Sequence, residues 1–162
     1  MTVSNIALDC FGITITLIML FCCIKMKEKK SKNEQFKIFY ILLSFNSVAL
    51  IFDALTCVFD NQPDMSVLLY ALNFIAFILG YVMASLFTRY MLLFIPQKSN
   101  ALYYVSIAIN IICLLAIALV VISLFNHMYF RIENGAYQIG PLFWLSQVLS
   151  IIILAADLII VL

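Results

Sequence analysis

Apolar positions along this chain gather into five long runs, covering 6–26, 36–59, 66–95, 101–125 and 141–162. A helix rises 1.5 Å per residue, so about 20 apolar residues cross a hydrocarbon layer about 30 Å thick. Each run meets that length, and the pattern predicts five transmembrane helices in one domain spanning the whole chain. The breaks between runs are short and polar. Asp60-Asn61-Gln62-Pro63-Asp64 separates the second run from the third, and Pro96-Gln97-Lys98-Ser99-Asn100 the third from the fourth. Pro141 is expected in the first turn of the last helix, where a missing N–H costs nothing.

The longest break in the second half reads FNHMYFRIENGAYQIGPLFW, residues 125–144. Its Asn134-Gly135 pair suits a two-residue type I′ turn, which needs positive φ at both central positions. Building outward from that turn pairs Glu133 with Ala136, Ile132 with Tyr137, Arg131 with Gln138 and Phe130 with Ile139. Alternation puts Phe130, Ile132, Tyr137 and Ile139 on one face. Tyr129, Arg131, Glu133, Ala136 and Gln138 fall on the other. The expected element is a β-hairpin between helices four and five, acting as a lid over the bundle.

Composition settles which solvent the runs face. The chain is 66% hydrophobic and 10% charged, with a mean hydropathy of +1.15, against about 45–50% apolar and about 25% charged in soluble domains. The lipid bilayer is therefore the first partner. The first run lacks a basic segment before it and a small-residue cleavage site after it, which argues against a cleaved signal peptide. Lys25, Lys27, Lys29, Lys30, Lys32 and Lys37 cluster after it. With that loop in the cytoplasm, Arg89 and Lys98 also lie inside and Arg131 alone lies outside, as the positive-inside rule asks. The expectation is an all-α protein of the cytoplasmic membrane, N-terminus outside, C-terminus inside and hairpin extracellular. The lysines are explained by topology, and nothing in the charge pattern points to nucleic acid. Cys10, Cys22, Cys23, Cys57 and Cys113 all fall in apolar runs and read as core residues, not as a disulfide set.

Few polar residues interrupt the runs, so their spacing carries weight. Asn73, Ala76, Gly80, Ala84 and Thr88 form one stripe on helix three, a pattern that lets helix backbones approach closely in lipid. It marks helix three as the expected centre of the bundle, and such stripes also serve homodimers. Asp53 and Asp157 are carboxylates at membrane depth, costing on the order of 3 kcal/mol each on insertion scales, and so are functional candidates. Asp53 is expected to meet Asn73, His127 or Arg131 beneath the hairpin. The candidate ligand-binding set is Asp53, Asn73, His127, Tyr137 and Trp144, for a small amphiphilic or cationic ligand. A single histidine makes no multi-His metal site, and no cofactor motif or catalytic motif occurs, so the chain reads as non-enzymatic.

The stretch MYFRIENGAYQIGPLFWL resembles the outer connection in the multi-helix membrane sensor regions of many Firmicutes signalling proteins. There an aromatic strand ending in Ile-(Asp/Glu)-Asn leads through a turn to Tyr-x-x-Gly-Pro-Leu-Phe and the next membrane helix. The resemblance extends to residues 53–73, where an Asp in helix two and a short polar turn recur. It implies a seven-helix-type sensory input region placed before a GGDEF-type diguanylate cyclase or histidine kinase output domain. It also implies that these residues are the N-terminal part of a longer chain. The alternatives are a transporter or channel subunit, with Asp53 and Asp157 as ion sites, and a ligand-free membrane anchor.

Overall fold

The computed structural model describes residues 2–30, 33–95 and 100–161. Lys32, Pro96 and Lys98 lie outside the described residues, and at Lys27, Lys29 and Lys30 only the backbone is described. Five helices form: α1 (Thr2–Lys30), α2 (Glu34–Phe59), α3 (Ser66–Leu92), α4 (Asn100–Asn126) and α5 (Phe143–Val161). All five are long and apolar enough to cross a membrane, which makes the chain a multi-pass membrane protein by length and composition. Between α4 and α5 lies one antiparallel pair, β1 (Phe130–Glu133) and β2 (Ala136–Ile139).

Local chemistry fixes the ends. The Asn33 side chain accepts from Gln35 N–H at 2.9 Å and caps α2, satisfying one of the free donors of its first turn. At the other end Asn61 takes a left-handed φ of 67°, a region that asparagine tolerates better than most residues. The chain then turns through a short 3-10 segment, Pro63–Met65, into α3. The hairpin has the register that its turn dictates: Phe130 opposite Ile139, Arg131 opposite Gln138, Ile132 opposite Tyr137 and Glu133 opposite Ala136. Asn134 and Gly135 both sit at positive φ, 53° and 79°.

α3 is the hub, packing against α2, α4, α5 and β1, whereas α1 packs chiefly on α2. The core runs through Tyr81, Ile109, Cys113, Ala116, Val120 and Ile153, and it continues up to Tyr129 and Phe130 at the base of the hairpin. At the opposite end Arg89 pairs with Glu34 at 2.7 Å, and the Gln35 amide donates to the Leu93 carbonyl at 2.8 Å. These two contacts tie the start of α2 to the end of α3.

Two boundaries differ from the expectation. α3 stops at Leu92, short of residue 95. α5 begins at Phe143, with Pro141 in the turn before it. The reason is that the hairpin ladder continues past Ile139. Gly140 N–H reaches the Tyr129 carbonyl at 2.9 Å and Leu142 N–H reaches the Met128 carbonyl at 2.9 Å, which ties Gly140 and Leu142 to the other strand through a turn that precedes the helix. Tyr129 also departs from the polar face: it is buried, its N–H donating to Ser123 Oγ at 2.9 Å. Alternation holds only within a strand, and β1 starts one residue later.

Candidate functional site

Three helices and the second hairpin strand line an open cavity of about 1240 Å³. α2 contributes Asp53, Thr56 and Cys57, at helical spacing along one face, and Asp60 follows just past its end. α3 supplies the floor with Asn73, Ala76, Gly80 and Ala84, and α5 the far wall with Ser146, Ser150 and Asp157. Tyr137, Gln138 and Ile139 of β2 close the mouth.

The small-residue stripe thus lines open space at its middle. A Cβ built on Gly80 would meet no heavy atom within 4 Å. No helix is seated against Gly80, because α2 and α5 flank the stripe without meeting over it. Thr88, the last residue of the stripe, is fully buried, and its hydroxyl donates to Asp157 Oδ1 at 2.7 Å and contacts the Ala84 carbonyl at 3.1 Å. Asp157 is 3% exposed and closes the inner end of the cavity.

The outer end is set by a latch. In a hairpin of this register the Ile132–Tyr137 pair is of the non-hydrogen-bonded kind, so the Tyr137 N–H points away from the partner strand. Asp60 Oδ1 accepts it at 3.0 Å, and the other Asp60 oxygen accepts from the Asn61 side chain at 3.1 Å. Asn61 N–H in turn donates to the Gly135 carbonyl at 2.8 Å. The turn between α2 and α3 and the tip of the hairpin are therefore in backbone contact. A Cβ on Gly135 would lie 2.4 Å from the Gln62 carbonyl carbon and 2.5 Å from Pro63 N. Only glycine permits that approach.

Aromatic stacking holds the hairpin's base. Phe130 is 1% exposed and stacks on Phe77 with ring centroids 5.6 Å apart and on Tyr137 at 6.0 Å. Burial pushes the Tyr137 phenol up to about 12 and raises that of Tyr129 as well, since an apolar setting disfavours the phenolate. The expected apolar face is split. Phe130 docks on α3 and Tyr137 stacks on Phe130, while Ile139 is 65% exposed at the cavity mouth. The lid is thus a flap fastened at one side, with β2 along the opening.

Of the five candidate ligand residues, Asp53, Asn73 and Tyr137 come together on the cavity wall. His127 and Trp144 do not line it. His127 ends α4 with φ 52° and packs edge-on to Tyr70, whose hydroxyl donates to the Leu124 carbonyl at 3.0 Å. Trp144 is exposed on the outside of α5. Arg131 does not reach Asp53; it pairs with Glu133 at 3.3 Å. Asn73 donates to the Leu69 carbonyl of its own helix. Sequence reasoning missed Asp60, the acceptor of the latch, and Ser146, Ser150 and Cys57 as wall residues. The available signal for Asp60 was a carboxylate directly after a helix, opposite a strand with outward N–H groups. Asp9 was also missed as a buried group: it sits on α1 within electrostatic reach of Asp53.

No family model, curated protein or solved structure matches this chain. Its function must be argued from the cavity.

Proposed function

We propose that the chain is the membrane-embedded input module of a signal-transduction protein, with the hairpin outside the cell and the lysine-rich α1–α2 connection in the cytoplasm. A ligand enters the cavity, displaces β2, and the movement passes down α5 toward the cytoplasmic side. Tyr137 carries this reading. Its N–H is held by Asp60 at the end of α2, its ring stacks on the buried Phe130, and it lines the cavity mouth. Whatever occupies the cavity touches the residue that fastens the hairpin, and β2 leads within four residues to the start of α5. A ligand shifts such a system only by binding two arrangements unequally, and latched against unlatched is the pair the contacts define.

Spin labels at Val67→Cys and Glu133→Cys, in an otherwise cysteine-free chain in vesicles, measure the latch directly. Two separations are expected, with the longer one gaining population in Asp60→Ala. One separation, unchanged by Asp60→Ala, removes the switch. Orientation is tested in cells with a membrane-impermeant thiol reagent. Glu133→Cys is expected to react from outside and Lys37→Cys only after permeabilisation, and reaction of both from one side overturns the topology.

A further inference from the structure

Asp53 and Asp157 stand near the two ends of the cavity, with Asp60 also at the outer rim but taken up by Tyr137 N–H and the Asn61 side chain. No lysine or arginine among the described residues is paired with any of them. The ion pairs there are Arg89–Glu34 and Arg131–Glu133. At the outer end Asp53 faces the cavity with Asp9 behind it on α1, close enough for the two charges to interact. Asp9 is 7% exposed, and its Oδ2 is buried with no hydrogen-bond partner. At the inner end Asp157 is held by Thr88 through one oxygen. Between them the buried Tyr81 hydroxyl lines the cavity beside Ser150 and makes no hydrogen bond of standard geometry. The remaining lining mixes alkyl and aromatic side chains with the polar Thr56, Asn73, Gln138, Ser146 and Gln147. No group of His, Cys, Asp or Glu among the described residues is arranged to hold a metal ion.

We propose that the cavity accepts an elongated organic dication, a linear chain with an ammonium at each end, one at Asp53 and the other at Asp157. This rests on the reading of the cavity as a ligand site and names the ligand's class. A positive partner at each end would offset the cost of burying a carboxylate there. A monocation satisfies one end and lays its tail against the other carboxylate. Span is the second argument. Asp53 lies six residues before the end of α2, and Thr88 lies twenty-two after the start of α3. With a rise of 1.5 Å per residue in antiparallel neighbours, the two sites are separated by roughly 20–25 Å along the bundle. An extended diamine with a twelve-carbon chain, plus a charged hydrogen bond of about 2.8 Å at each end, covers about that distance. A four-carbon diamine does not.

The test uses the native chain in lipid nanodiscs and reads, by peptide mass spectrometry, mixed-disulfide formation at Cys57, which lines the same wall as Asp53, with a methanethiosulfonate reagent, which releases methanesulfinate. The probes are dodecane diamine, dodecylamine, dodecanol and butane diamine at one concentration. The diamine of matching length is expected to slow modification of Cys57 about tenfold more than dodecylamine, the worth of one further charge-assisted contact. Asp157→Asn should bring the long diamine to the level of dodecylamine. The length series in the native chain keeps the question decidable if that variant fails to fold. Equal protection by dodecylamine, or by dodecanol, overturns the dication while leaving a ligand cavity in place. Rapid modification unaffected by every probe overturns the cavity reading as well.

Discussion

Replacing Gly135 by alanine should unfasten the hairpin while leaving the helices in place. The new Cβ would lie 2.4 Å from the Gln62 carbonyl carbon and 2.6 Å from its oxygen. Those are backbone atoms at the start of a 3-10 turn, so no flexible side-chain end can give way. Gly135 also holds φ at 79°, where an L-residue loses about 1–2 kcal/mol. Separation of the two turns breaks the Asn61 N–H bond to the Gly135 carbonyl, worth about 1 kcal/mol net. Together the loss is about 3 kcal/mol, borne by the docked state of the hairpin. Hydrogen exchange measured by mass spectrometry separates this from global unfolding. Peptides covering 58–66 and 129–140 should exchange about a hundredfold faster, since each ~1.4 kcal/mol is a factor of ten, while peptides from α4 stay as in the parent. Unchanged exchange in both turn peptides would refute the latch.

Two further outcomes follow from the same geometry. Gly80→Ala should stabilise α3 by up to about 1 kcal/mol, because the added methyl meets open space and alanine is the better helix former; a loss of thermal stability in detergent would mean that a helix does seat there. Tyr137 gives a pH dependence. Its phenol titrates near 12 in the folded chain against 10.0 when free, so the folded form holds its proton longer. Docking is then complete below about pH 10 and weakens as pH rises toward 12, and Tyr137→Phe should reduce that loss in the spin-label separation, the remainder belonging to the buried Tyr129.

How much of this was legible depends on the range of the interaction. The hairpin register followed from two adjacent residues, Asn134 and Gly135, because turn geometry propagates outward with a period of two. The five helices followed from run length alone. The latch was not legible, since Asp60 and Tyr137 are 77 residues apart, and neither residue type announces a partner. The stripe on α3 shows why periodicity stops short of a site. Asn73, Ala76, Gly80 and Ala84 share one face as their spacing requires, but spacing does not say whether a helix or a cavity lies opposite. Tyr129 shows the converse failure. Extending the alternation one residue beyond the strand put on the polar face a ring that the fold buries, because Ser123 anchors its N–H.

The order of packing also bears on how the molecule is made. Each of the first four helices packs on its neighbour in sequence, α1 on α2, α2 on α3 and α3 on α4, so these contacts are available as soon as each segment leaves the ribosome. Such local pairings form quickly and close only short loops. The flap from β2 and the wall from α5 are made after these four helices, and they return to elements made earlier. A chain halted before Gly135 has its four helices and the floor from α3, but neither β2 nor the α5 wall that carries Asp157. The compartment is therefore complete only once α5 has been added, and until then Asp53 has no wall opposite it.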